Sequence, residues 1–237
     1  MMNNIVEPVI FLPGTLCDER VWMPCWRFLA CQQRAYVPLQ WAESMEHMLA
    51  LCADRVEASN TSVHLVGFSM GGYVAAVYAL QHPEKIASLT LVGASPFGLS
   101  PEETKRREGV LQHIANRRSV TMSDFNLEQF VSVKHKQDTA LLAVIRGMES
   151  DLGATVLGHQ IRATMPRQDL SVSLAKSGLR VYFLAGEEDR IIDLSPLKNF
   201  AKNMPNGRLI TFASAGHMLP LEQPQILAEQ LQTLLAK

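Results

Sequence analysis

No stretch of this 237-residue chain offers the unbroken apolar run, about 20 residues, that a bilayer crossing needs, and no charge sign dominates. Lysine and arginine number 22 against 23 aspartates and glutamates, a net charge of −1. That balance excludes the basic footprint expected for binding nucleic acid or an anionic membrane surface. Cysteine is scarce and confined to the first quarter, at Cys17, Cys25, Cys31 and Cys52, with no Cys-x-x-Cys pair. This excludes a zinc site of that pattern and a secreted disulfide framework. Residues 1–12 lack a basic leading segment and carry Glu7 and Pro8 within their apolar run, so they do not read as a signal peptide. Internal repeats and low-complexity tracts are absent. The expectation is a cytoplasmic protein with reduced thiols, acting on a small molecule, without metal, cofactor, nucleic-acid or membrane partner.

Hydrophobic residues make up 47% of the chain and charged residues 19%, a globular composition. Short β-branched runs alternate with longer segments of helical period, the signature of a parallel sheet covered on both faces. Strands are expected at 9–12, 35–38, 63–66, 88–92, 180–185 and 208–212, and helices at 18–32, 43–57, 70–81, 194–203 and 221–236. The alternation stops from about 95 to 177, where 101–116, 126–133, 140–150 and 154–164 all read as helical. One α/β core from 1–94 and 178–237, with a helical cap inserted at 95–177, is the expected organisation.

The most informative stretch is Gly67-Phe68-Ser69-Met70-Gly71, which follows the run Val63 to Val66 and opens the Ala-rich segment after it. A serine on a sharp strand-to-helix turn must adopt strained backbone angles, and flanking glycines remove the side chains that would clash there. The turn lifts the hydroxyl over the sheet's end and aims the first helical amides at the place where negative charge develops. Ser69 is the candidate nucleophile.

A serine hydroxyl needs an imidazole to take its proton, and the imidazole needs a carboxylate to fix its tautomer. Of seven histidines, only His217 falls in a loop just beyond a strand; His64 lies within a strand and the other five on helices or at their ends. The loop after the fifth strand holds Glu187, Glu188 and Asp189, of which Asp189 is the candidate acid. Both loops follow a strand's carboxyl end, where open α/β sheets collect ligands. The loop after the first strand, Pro13-Gly14-Thr15-Leu16-Cys17-Asp18, supplies a backbone donor for an oxyanion hole, Thr15 with Leu16 as the fallback, paired with the N–H of Met70. Cys17 in that loop is expected to be a bystander.

The chain order of serine, acid and histidine, with these loops, resembles the α/β-hydrolase superfamily over nearly the whole sequence. It is most similar to the small capped serine hydrolases around 3-oxoadipate enol-lactonase, through residues 12–18, 67–73, 186–189 and 216–224. The resemblance implies Ser69, Asp189 and His217 as a triad, backbone donors at Thr15 and Met70, and a six-stranded parallel sheet, since the chain begins almost at its first strand. Two departures stand out. Pro13 replaces a histidine that often orders the oxyanion loop in relatives, and Pro38-Leu39-Gln40-Trp41 replaces an acidic, glycine-rich turn, reshaping one pocket wall.

The expected activity is hydrolysis of a small carboxylic ester, lactone or thioester through an acyl-enzyme. The same residues also serve C–C bond hydrolysis or acyl transfer, and the fold can merely bind a ligand. Met70, Met218, Met122, Met148 and Met165 suit either an adaptable apolar pocket or plain core, and Arg162 and Arg167 either a substrate carboxylate or the surface, so neither arginine is assigned.

Overall fold

The computed structural model describes residues 4–116 and 127–236. Its centre is a six-stranded, wholly parallel sheet in the order β2-β1-β3-β4-β5-β6. The strands are β1 (Val9–Leu12), β2 (Arg34–Tyr36), β3 (Val63–Phe68), β4 (Ile86–Val92), β5 (Val181–Gly186) and β6 (Gly207–Phe212). The six-stranded parallel expectation therefore holds. Strand β2 ends before Pro38, which has no N–H to donate to the ladder.

Side chains alternate between two cores along each strand, as a two-residue period demands. Ile10, Leu12, Leu65, Leu89, Leu91 and Phe183 face one layer, while Val9, Phe11, Val66, Phe68, Val92 and Leu184 face the other. Helices α2 (Met45–Glu57), α3 (Met70–Gln81) and α7 (Leu194–Asn203) cover the first face. Helices α1 (Met23–Trp26) and α9 (Pro224–Leu235) cover the second, and the short α8 (Leu219–Glu222) leads into α9. Burial on both faces is why the strands read as near-continuous apolar runs.

Between β4 and β5 the described chain contains no strand and is mainly helical: α4 (Pro101–Ala115), α5 (Thr139–Thr164) and α6 (Ser171–Lys176). Ser100 starts α4 by accepting the Glu103 N–H at 3.1 Å, and Asp138 starts α5 by accepting that of Leu141 at 3.1 Å. Gly153, at φ 69° and ψ −176°, breaks α5 between the two helical stretches expected from sequence.

Two helical expectations fail. Residues 18–32 form only a 3-10 turn, Glu19–Val21, and the four-residue α1. Trp22 is drawn inward instead, its indole N–H donating to the Leu12 carbonyl at 3.2 Å and its ring 5.0 Å from that of Phe11. Of 126–133, the described part is largely turn, while Asn126 lies outside the described residues. Its backbone is committed elsewhere: Phe130 O accepts the Met218 N–H at 2.9 Å and Ser132 N–H donates to Glu222 at 2.8 Å.

Chain reversal between β1 and β3, where β2 lies to one side of β1 and β3 to the other, sets the crevice at the strands' carboxyl ends. Two glycines let the loops there approach. A Cβ on Gly71 would stand 2.4 Å from the Pro13 carbonyl oxygen, and one on Gly186 would stand 2.2 Å from that of Ala215. Neither contact can relax by side-chain rotation, because both partners are backbone. Gly186→Ala should therefore force apart the loops after β5 and β6 and destabilise the fold by about 1–3 kcal/mol. Thermal and urea unfolding of that variant against the parent protein measures the loss.

Candidate active site

Ser69 sits between β3 and α3 at φ 49° and ψ −115°, a conformation that non-glycine residues seldom adopt. The backbone holds it there from both sides: its N–H donates to Val92 O at 2.9 Å, and its carbonyl accepts from Gly72 N at 3.0 Å. Although Ser69 occupies the N-cap position of α3, its hydroxyl makes no capping bond. It lies instead 3.0 Å from His217 Nε2.

His217 Nδ1 lies 2.9 Å from Asp189 Oδ2, and the Asp189 side chain is 0% exposed. Asp189 Oδ1 accepts the N–H groups of Ile191 and Ile192 at 2.8 and 3.1 Å. With the carboxylate accepting, Nδ1 carries the imidazole proton and Nε2 is left to accept from the serine hydroxyl. The Phe68 and Phe130 rings flank the imidazole at centroid distances of 5.2 and 6.0 Å. The neighbouring acids are engaged elsewhere: Glu187 accepts from the Thr211 hydroxyl at 2.9 Å and Glu188 from the Val133 N–H at 2.8 Å.

Behind His217, Glu222 is buried. Its carboxylate accepts the Gly216 N–H at 3.0 Å and the Ser132 N–H at 2.8 Å, and lies 3.2 Å from His135 Nδ1. It ties the histidine loop to the segment between β4 and β5. Glu222 lies within the stretch 216–224 that carries the family resemblance, where the sequence assigns it no role. The spacing of an acid five residues beyond the histidine, at the end of a helical turn, was the available signal.

In the loop after β1, Thr15 lines the crevice beside Ser69, and Leu16 takes φ 49°. The Leu16 N–H donates to Gln160 Oε1 at 2.9 Å. Gln160 comes from α5, is 0% exposed, and keeps a buried Nε2 without a partner among the described residues. Nothing local in the sequence announces this contact. Met70 opens α3, so its N–H is one of the four at the helix start that have no intrahelical acceptor. Cys17 is buried, and burial pushes its thiol up to about 12, far from a reactive thiolate.

A cavity of about 390 Å³ adjoins Ser69. Ser69, Met70 and Tyr73 form one wall, and Glu103, Arg107 and Thr164, from the helices between β4 and β5, form another. Arg167 lines it as well, whereas Arg162 is exposed and outside it. Of the methionines, Met70 alone among those described lines the cavity; Met148 and Met218 are core, and Met122 lies outside the described residues. Residues 38–41, expected to shape a wall, do not line it and meet α5 instead. No cluster of metal-ligating side chains occurs among the described residues, and no described helix is long and apolar enough to cross a membrane.

A family model described as alpha/beta hydrolase fold matches residues 42–224. The chain is 27% identical to a pimeloyl-[acyl-carrier protein] methyl ester esterase of Aeromonas hydrophila, over 94% of this chain and 93% of that one. It is also 27% identical to the monoacylglycerol lipase ABHD6 of Bos taurus, over 73% of this chain but only 54% of the lipase, so it spans about half of that relative. Among solved structures, a thermophilic esterase from Thermogutta terrifontis superposes with a TM-score of 0.85 at 20% identity, covering 98% of this chain and 90% of the esterase. At that identity the likeness speaks for the fold alone. The match over most of the chain, together with the six-stranded parallel sheet, establishes that this protein belongs to the α/β-hydrolase fold family, as one of its hydrolase enzymes.

Proposed function

We propose that the protein is a serine hydrolase that cleaves a small carboxylic ester through an acyl-enzyme, with Ser69 as nucleophile, His217 as general base and acid, and Asp189 as its orienting carboxylate. The observation that carries this reading is the relay itself, 3.0 Å from Ser69 Oγ to His217 Nε2 and 2.9 Å from Nδ1 to the fully buried side chain of Asp189. Relatives named as esterase and lipase support the substrate class.

In this mechanism Ser69 Oγ attacks the ester carbonyl as its proton passes to His217 Nε2. The negative charge that develops on the carbonyl oxygen is met by the N–H groups of Thr15 and Met70. Leu16 is the poorer donor because Gln160 already holds its N–H. His217 then protonates the departing alkoxide, leaving the acyl group on Ser69. A water gives its proton to Nε2 and attacks the acyl carbonyl; collapse releases the carboxylic acid and returns the proton to Ser69. We read residues 95–177 as a cap over a core formed by 1–94 and 178–237, on the ground that Glu103, Arg107 and Thr164 line the same cavity as Ser69. The four unpaired thiols favour a reducing, cytoplasmic setting.

Ser69→Ala should abolish both ester turnover and covalent labelling by a fluorophosphonate while circular dichroism and melting temperature stay near those of the parent. Turnover that survives the substitution overturns the reading. Asp189→Asn should lower kcat by about four orders of magnitude, the loss seen for the equivalent change in the serine-protease triad, by inviting the wrong imidazole tautomer. Glu187→Gln and Glu188→Gln, assayed beside it on one activated ester, should retain most activity. Gln160→Leu should lower kcat about tenfold or more with little change in KM, because the loop bearing Thr15 loses its tether and one oxyanion donor is worth about 10²–10³ in rate. A change confined to KM would show that Gln160 shapes binding instead.

A further inference from the structure

The cavity beside Ser69 contains a cation for which the proposed chemistry has no use. Arg167, just beyond α5, donates from Nε to Phe97 O at 3.0 Å and from Nη2 to Ser95 O at 2.6 Å. Its guanidinium carbon lies 4.5 Å from the centroid of the Tyr73 ring. Carbonyls and an aromatic face orient a guanidinium without neutralising it. Among the described residues no carboxylate lies within ion-pair distance of Arg167, and its Nη1 has no protein partner. Burial pulls its pKa below the ordinary arginine value, as expected for a cation short of water.

The other charges lining the cavity are already matched or engaged. Arg107 donates to Glu103 at 2.9 Å and to the Thr164 hydroxyl at 3.0 Å, and the two charges of that pair act on Arg167 with opposing sign. Asp193 is exposed and caps α7 through the Ser195 N–H at 2.9 Å. Arg167 is thus the unmatched charge of the inner wall. It is also well positioned for a ligand that reaches Ser69. Tyr73, beneath the guanidinium, stands four residues along α3 from Ser69, about 6 Å of helix rise.

We propose that this cavity accepts half-esters, substrates whose scissile ester meets Ser69 and whose far end is a free carboxylate held by Arg167. The proposal rests on the serine-hydrolase reading for its chemistry but not for its binding. A planar carboxylate is the anion that the flat edge of a guanidinium accommodates best, and the ion pair relieves the cost of burying an unpaired charge.

The test compares p-nitrophenyl half-esters of succinate, glutarate and adipate with the same molecules capped as methyl esters. The parent protein should favour the half-esters in kcat/KM. Arg167→Met should erase that preference, losing about 10- to 100-fold on the half-esters, chiefly through KM, with the methyl-capped series close to the parent. Arg167→Lys should fall between them, because it keeps the charge and loses the fork. Since Arg167 also braces Ser95 and Phe97, a second measurement uses a different variant. Calorimetry on Ser69→Ala protein should find that monomethyl adipate binds more tightly than dimethyl adipate, and that raised salt narrows the gap. That binding arm separates the two readings, because it needs no chemistry at Ser69. Equal binding of the two adipates, or an unchanged half-ester preference in Arg167→Met, overturns the carboxylate site and leaves the serine mechanism standing. Tighter binding of an alkyl phosphate of the same length would reassign the site to phosphate and overturn the carboxylate assignment.

Discussion

Asp189 is a carboxylate without access to water, and the geometry around it governs the whole crevice. An unpaired charge in that position costs several kcal/mol, so the loops must close around it with donors. Two come from its own turn, at Ile191 and Ile192, and the third is the imidazole of His217. That last contact joins the ends of β5 and β6, which their backbones reinforce where Glu187 N–H reaches Phe212 O at 2.9 Å and Glu188 N–H reaches Ala215 O at 2.9 Å. The closeness this requires is why the position beneath the turn is Gly186.

Glu222 repeats the principle behind the histidine. Its buried carboxylate is saturated by the Gly216 and Ser132 N–H groups and faces His135. Asp189 thus fixes one nitrogen of His217, and Glu222 fixes the backbone of the preceding Gly216. The second anchor reaches outside the core, since Ser132 and His135 belong to the segment between β4 and β5. Displacing that segment would move the imidazole even though it contributes no group to the relay.

How legible each part was in the sequence follows from how local its cause is. Ser69 could be read because the strand, the flanking glycines and the helix that define it are contiguous. His217 stood out as the histidine beyond a strand's end. Among three adjacent acids, Asp189 could be preferred, but only the structure shows Glu187 and Glu188 turned to Thr211 and Val133. The helix expected at 18–32 failed because Trp22 finds more by burying its ring against Phe11 and Phe68 than a continued helix would supply. That is tertiary packing overriding local pattern. Gln160 and Glu222 were beyond reach as functional assignments because each acts on a partner that the chain brings near only by folding, whereas Arg167 could be named beside Arg162 but only the fold sets it in the cavity and leaves Arg162 outside.

Gln160 shows how far such long-range dependence extends. The Pro13 side chain offers the loop after β1 no hydrogen bond, and Leu16 within it holds a left-handed backbone angle that costs about 1 kcal/mol or more. Such a conformation persists only where surrounding contacts over-determine it. Here the loop's own Cys17 N–H to Gly14 O bond is joined by the amide of Gln160, 144 residues away and fully buried. A second cost adds to the first, because its Nε2 remains buried without a partner among the described residues. A fold that tolerates both penalties at one point is keeping that loop where it is. Helix α5 is therefore a strut for the proposed oxyanion donors as well as a bearer of cavity wall at Thr164. Variation along it therefore reaches both rate and fit: repacking around Gln160 alters how the loop presents Thr15, whereas changes at the Thr164 end alter the space the substrate occupies.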